Sequence, residues 1–392
     1  MVYSKGKYNP ARSRSFVFPA SPRRSGRKTG KRFRPTETFM RNKKILLSAA
    51  CLAAASAVAL TGCTSSQTQN FSGAYWNDNP KNTEIVPVYE KLKYDVDVVA
   101  KAPFSSSEMK NDDLRLVPDR SASYYTVELS AEKGADVYTL KTELKMVGKY
   151  EFGENKEYKI EGDTVVTETT FKGYADGLAP VKTVKKVRNV VPSTATPTEE
   201  GQFHTVGYTQ TVEYGSSVAT SVILPDAGSE DYLKGREETI EYKKYNKKTY
   251  VDNDMMLFYF RAFEFEDGFS YTFSVIDAMG QSLSSVKCSG LTDSSGNSSA
   301  KTPIKVSSYI ETSGGTTQKA NDKTFNCYGV KFATQGEYGQ TFLYAYYAVN
   351  PKGEEGNDKD NANRHRAVAI YQPALYHTGY VSFTLHETSL DR

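Results

Sequence analysis

Cysteine is scarce in this chain, with four in 392 residues, and two of them, Cys51 and Cys63, fall in or just after one apolar stretch near the start. That excludes a disulfide-stapled scaffold. Histidine is as rare. His204, His365, His377 and His386 stand in none of the spacings that hold a metal, so neither a metal site nor a cofactor is expected. No Gly-x-Ser-x-Gly elbow, Walker-type loop or dinucleotide fingerprint occurs, so acyl transfer, nucleotide hydrolysis and hydride transfer have no anchor. Charge of one sign is not in excess overall, with 50 Lys and Arg against 46 Asp and Glu. The surplus of base sits at the start: residues 1–39 carry 11 Lys or Arg and one acid, Glu37. The remainder is mildly acidic, which argues against a surface that tracks phosphates and hence against a nucleic-acid partner.

What is present begins with an export signal. Arg41, Lys43 and Lys44 form a short positive region, followed by an apolar run from Ile45 to Leu60 and then Leu60-Thr61-Gly62-Cys63. The run spans about 24 Å as a helix, short of the roughly 30 Å hydrocarbon core, so a cleaved signal is expected rather than a membrane span. Leu60-Thr61-Gly62-Cys63 resembles the lipobox of bacterial lipoproteins. That resemblance implies a diacylglyceryl group on the Cys63 sulfur and cleavage between Gly62 and Cys63. The polar run from Thr64 to Asn70 reads as a tether. Residues 1–39 are too polar and basic to form a core. Translation is expected to start at Met40, with residues 1–39 an untranslated or disordered basic lead. The organisation is then 40–62 signal peptide, 63–84 tether and 85–392 a β domain with loops near 192–202, 282–302 and 354–363, and the Ser/Gly/Thr-rich stretch from Thr312 to Asn321 reads as a further loop.

In that domain the dominant period is two. Leu92, Tyr94, Val96 and Val98 alternate with Lys93, Asp95 and Asp97, and Tyr138 to Met146, Val165 to Phe171, Tyr208 to Tyr214 and Val381 to Leu385 repeat the pattern. With 28 Tyr and 19 Phe favouring strands, the expected fold is mainly β: a large curved antiparallel sheet or open barrel of ten to fourteen strands. Turns are expected at Lys133-Gly134, Glu161-Gly162-Asp163, Ala175-Asp176-Gly177 and Asp267-Gly268. One short helix is expected over Asn253 to Phe263. Asp252 or Asn253 caps it, and Met256, Leu257, Phe260 and Phe263 form a stripe that plugs one end of the sheet.

The stretch Asp252-Asn253-Asp254-Met255-Met256-Leu257-Phe258-Tyr259-Phe260-Arg261, followed by Gly268, resembles the signature of a family of exported bacterial domains of unknown function. Asp254 and Met255 stand where that family has Leu and Ser. Tyr94-Asp95-Val96 fits its opening strand and Gly379 to Leu385 its closing one. The resemblance marks Asp252, Tyr259, Arg261 and Gly268 as signature residues and implies a curved antiparallel sheet in the cell envelope, with no known activity. Arg261 is expected to pair with Asp252 or Asp254.

Chemistry beyond this is sparse. Cys288 and Cys327 remain after processing, either as a disulfide or as two reduced buried thiols. Asn357 to Asn361 reads as a solvated polar loop rather than a Ca²⁺ site. Phe342 to Tyr347 puts Tyr344 and Tyr346 on one strand face and Tyr347 on the other. Carboxylates are many, but no pair is singled out for glycoside hydrolysis. The expectation is a non-enzymatic lipoprotein held to a membrane by the lipid on Cys63. It faces outside the cytoplasm, in the periplasm or at the cell surface, and binds a hydrophobic or envelope-derived ligand or partner. The rivals are a structural or interaction protein of the envelope without a small ligand, and an enzyme acting on wall glycan or peptide. An apolar cavity favours the first, and a cleft with two perturbed carboxylates the last.

Overall fold

The computed structural model describes residue 85 and residues 88–105, 108–173, 176–241, 250–266, 268–277, 282–292, 302–336, 339–349 and 364–391. Residues 1–84, which include Gly62 and Cys63, and residues 350–363 lie outside them.

Alternation makes the strands. In β1 (Val88–Val99), Glu90, Leu92, Tyr94 and Val96 are buried, while Lys93 and Asp95 face water. β2 (Leu114–Pro118), β3 (Tyr124–Ala131), β4 (Tyr138–Phe152), β5 (Lys156–Phe171), β6 (Pro180–Pro192), β7 (Phe203–Tyr214), β8 (Val218–Pro225) and β9 (Arg236–Glu241) follow. From β3 to β9 they form an antiparallel meander. β3 pairs with one half of β4 and β2 with the other.

β10 (Tyr250–Asp252) runs parallel to β11 (Ser270–Asp277), which pairs with β12 (Ser282–Gly290). β13 (Thr302–Ser313), β14 (Thr316–Gly336), β15 (Gly339–Ala348), β16 (Ala367–Pro373) and β17 (Tyr380–Asp391) complete the series. β17 is the seam. Along one edge it pairs with β1 over nearly its whole length. Along the other it pairs first with β16, through Tyr380 to Thr384, and then with β13 in parallel, through Glu387 to Leu390. β13 to β17 thereby close into a five-stranded barrel, and the remaining strands extend it as a curved sheet.

Three sequence expectations need correction here. Residues 282–302 are not one loop, since Ser282–Gly290 is β12, and most of Thr312 to Asn321 is strand around a Gly314-Gly315 tip. Ser and Thr there pack as β residues, which is why seventeen strands are described rather than ten to fourteen. Glu161-Gly162-Asp163 is not a turn but a bulge inside β5: Glu161 and Gly162 oppose Val147 alone, between the Met146–Asp163 and Gly148–Ile160 pairs.

The expected helix is a compound one, 3₁₀ over Asn253–Met255, α1 over Met256–Tyr259 and 3₁₀ over Phe260–Ala262. The Asp252 carboxylate caps it, accepting from the Asp254 N–H at 2.8 Å. It carries no single stripe. Met255, Met256, Phe258, Tyr259, Phe260 and Ala262 are all buried, and a helix apolar all round lies inside a core. Its end is an aromatic knot in which Phe260 meets Phe332 edge-on at 4.8 Å and Phe273 at 4.9 Å. Tyr346 and Tyr347 take opposite faces as expected: Tyr347 donates to the Leu257 carbonyl at 2.9 Å, and Tyr346 donates to that of Pro103.

Candidate functional site

The signature residues are brought together with the sheet, but not as a solvent-open site. Asp252 is 1% exposed. It accepts from Thr183 Oγ1 of β6 at 2.9 Å and from the Tyr214 hydroxyl of β7. Burial and the neighbouring Asp254 push its pKa up to about 6. Asp254 pairs with the buried Lys185 of β6 at 2.7 Å. Arg261 therefore pairs with neither Asp252 nor Asp254. Its Nη1 reaches Glu90 of β1 at 2.7 Å, and Glu90 also binds Arg366 Nε at 2.8 Å. Lys185 takes Asp254 and Glu90 takes Arg261, so the acid and the base that lie close in sequence find other partners. Tyr259 packs on Phe260 and Phe263, and Gly268 takes a positive φ of 78° in the turn before β11. These residues clamp the helical segment between β6–β7 at one end and β1 at the other, which is a structural task.

Cys288 and Cys327 are free, buried thiols whose pKa burial pushes well up. The β12–β14 register explains why they do not bond. Cys288 lies opposite Phe332, an odd number of residues along β14 from Cys327, so the two thiols belong to opposite pleat faces. Among the described residues no group of His, Cys, Asp and Glu is arranged to hold a metal ion, and no helix is long and apolar enough to cross a membrane.

A cleft lies where the meander faces the barrel. It encloses about 100 Å³ and opens to solvent. One wall is Leu144, Met146 and Tyr150 of β4, with Leu116 of β2 behind them. The other is Val381 and Phe383 of β17 with Pro373 to Leu375. The lining is apolar apart from Asp163, Asn189, Gln372 and the Tyr150 hydroxyl, and Asp163 is its single charged residue.

Asp163 is aimed by two irregularities. The bulge at Glu161-Gly162 resets its side of β5, and the β5–β6 ladder ends one pair later, at Thr164–Arg188. β6 runs on with β7 alone, leaving the Val190 N–H without a strand partner on that side. Asp163 Oδ2 accepts it at 3.0 Å. Burial drives the Asp163 pKa up to about 7, and the Val190 N–H and the nearby Arg188 charge offset this only in part.

The opposite rim is strained. Between β16 and β17 the turn closes with the Thr378 N–H on the Leu375 carbonyl at 3.1 Å, and both central residues have positive φ, Tyr376 at 52° and His377 at 58°. This is the pattern of a two-residue turn that ordinarily takes Asn-Gly. A Tyr and a His there cost on the order of 1–2 kcal/mol each. The Asn111 amide holds the turn, donating to the Tyr376 carbonyl at 3.1 Å and to that of Ala195 at 2.9 Å. A half-buried carboxylate that makes no ion pair among the described residues, facing a strained rim, is an arrangement that stability alone does not favour.

That last point predicts a pH effect. Asp163 retains its proton to about pH 7 when folded, against 3.8 for an ordinary Asp. The folded state therefore binds more protons than the unfolded one between these values, and its stability falls as pH rises through them. Asp163→Asn is expected to unfold at higher denaturant than the native chain at pH 8, with the advantage gone below pH 4. Urea titrations at both pH values read it, and equal midpoints at pH 8 would refute it. A shallower fall up to about pH 6 remains in the variant, because Asp252 titrates in the same sense.

Sequence reasoning did not find Asp163, Glu90 or Lys185 as site residues. For Glu90 a signal existed: it stands two residues before Leu92, in phase with the buried Leu92, Tyr94 and Val96. Compared with known proteins, the chain matches no family model, no curated protein and no solved structure.

Proposed function

We propose that this is a non-enzymatic envelope lipoprotein, tethered through a lipid on Cys63, whose β body binds an apolar group in the Asp163 cleft. The observation that carries the reading is the cleft itself. It is an apolar concavity with a few convergent polar groups and one strongly perturbed carboxylate, the usual form of a ligand site. The anchoring half rests on the apolar run that closes in Leu60-Thr61-Gly62-Cys63. A diacylglyceryl group suits it physically, since one acyl chain gives only marginal membrane binding and two give firm attachment. The cleft favours binding over wall hydrolysis, because it brings a single carboxylate, while Asp252 and Asp254 are tied to Thr183, Tyr214 and Lys185.

Native mass spectrometry of the full chain, released from bacterial membranes in mild detergent, tests both halves. The native chain is expected to start at Cys63 with a diacylglyceryl mass on it, and Cys63→Ser to lose that mass and leave the membrane fraction. A bound apolar mass is expected on the native chain and not on Ala374→Trp, whose indole fills the cleft. A native chain that stays free of ligand after incubation with envelope extract overturns the binding half.

A further inference from the structure

We infer that the group held in the Asp163 cleft is an ammonium carried on a short branched or cyclic hydrocarbon, with the carboxylate of Asp163 as its counter-ion. This rests on the binding reading above and names the ligand class for the same site.

The size of the hydrocarbon follows from the volume. An engineered apolar cavity of about 150 Å³ admits one benzene. The cleft encloses about 100 Å³ and has an open mouth, so it suits a branched chain of about five carbons or a single ring, with the rest of the molecule outside.

The charge follows from what filling the cleft does to Asp163. One of its oxygens is committed to the Val190 N–H, and the other accepts no hydrogen bond among the described residues. Asp163 is half-buried and the cleft opens to solvent, so water can reach the carboxylate. Any occupant displaces that water, and a carboxylate left in an apolar site without a partner is strongly disfavoured. A neutral hydrocarbon therefore binds only by forcing a proton onto Asp163. An anion is repelled outright. An ammonium supplies both the missing charge and N–H donors, and the Asn189 carboxamide on the same wall offers a further acceptor. The remaining charge acting on Asp163 is Arg188 of β6, which is exposed and too weak to hold its pKa down. No residue lining the cleft from β2, β4, β16 or β17 is charged.

The test is isothermal titration of the full chain in detergent with 3-methylbutylamine, 3-methylbutan-1-ol, 3-methylbutanoate and ammonium chloride, at pH 6 and pH 8. The amine is expected to bind more tightly than the alcohol at pH 8, and the butanoate and ammonium chloride not to bind. Amine affinity is expected to rise about tenfold from pH 6 to pH 8 as Asp163 ionises about a pKa near 7. Asp163→Asn is expected to lower amine affinity at pH 8 at least tenfold and to abolish its pH dependence, while the alcohol, which no longer has to protonate Asp163, binds more tightly at pH 8. If alcohol and amine bind equally at pH 8, or if Asp163→Asn keeps the amine, the counter-ion inference falls while the apolar-ligand reading stands. If neither amine nor alcohol binds, the binding reading falls with it.

Discussion

Replacing Glu90 by alanine is expected to destabilise the fold by about 3–5 kcal/mol, the cost of removing one partner from a buried ion pair. Glu90 is 1% exposed and divides its two oxygens between Arg261, at 2.7 Å, and Arg366, at 2.8 Å. Both arginines are themselves buried. Arg261 is further fixed by its Nε on the Arg364 carbonyl at 2.9 Å and by the Phe258 ring beneath its guanidinium, 5.1 Å from the centroid. Without the carboxylate, two guanidiniums stand side by side in a low-dielectric interior with no anion between them. The attraction that ties the helical segment to β1 becomes repulsion. Glu90→Gln keeps the shape and removes the charge, so a similar loss there separates electrostatics from packing. The sign with pH is definite. Burial alone raises the carboxyl pKa, but the Arg261 and Arg366 charges outweigh it and hold Glu90 well below the usual carboxylate range. Its contribution is present above the ordinary Glu value of 4.5 and is lost only as pH falls through the depressed folded value. The difference between native and Glu90→Gln midpoints is therefore expected to be full at pH 7 and to shrink below pH 4. A Glu90→Ala protein within 1 kcal/mol of the native chain at pH 7 would show that the triad carries no net weight.

Phe260→Ala is expected to cost a similar amount, about 3–5 kcal/mol, by a different route. Phe260 is fully buried and its ring touches Phe263, Phe269, Tyr271, Phe273 and Phe332. Those partners come from the helical end, from β11 and the residue before it, and from β14, so no single element closes over the gap. The loss is transfer free energy plus an unfilled cavity in a place where aromatic rings cannot collapse inward without leaving their own contacts. Phe260→Leu restores most of the volume and is expected to recover more than half of the loss. Equilibrium unfolding in urea compares the three proteins, and because the knot lies away from the Asp163 cleft lining, amine affinity is expected to be unchanged in the folded fraction. An alanine variant losing less than 1 kcal/mol would mean that the helical segment is not a packed plug.

The sheet was legible because β1, β4, β5, β7 and β17 bury one face each, and the period of two records that directly. The plug was legible from Asp252 and the apolar residues after it, although its surroundings on all sides were not. Local pattern reports which residues avoid water, not which strands come together. That is why β12 and the β13–β14 tip, rich in Ser and Thr, read as loops, and why Arg261 was assigned to acids near it in sequence rather than to Glu90, which lies 171 positions away. The cleft was the least legible part. It needs the Gly162 bulge, the early end of the β5–β6 ladder and the approach of β16–β17 to β4. Only the glycine leaves a mark in the sequence, and there it resembles a turn. The Tyr376-His377 turn carries no Gly or Asn to announce it.

The seam at β17 has a consequence for how the body is made. A chain synthesised from its amino end produces β1 nearly three hundred residues before the strand that pairs with its second edge, and β13 before the strand that shuts the barrel. Until residues 380–391 emerge, both edges are bare, and loops of this span are slow to close. Folding is thus tied to the synthesis of residues 380–391, and an intermediate that lacks them has exposed strand edges that invite pairing with other chains. A factor that keeps such a chain extended protects it until β17 is available, and shortening the chain before Tyr380 removes the fold rather than trimming it.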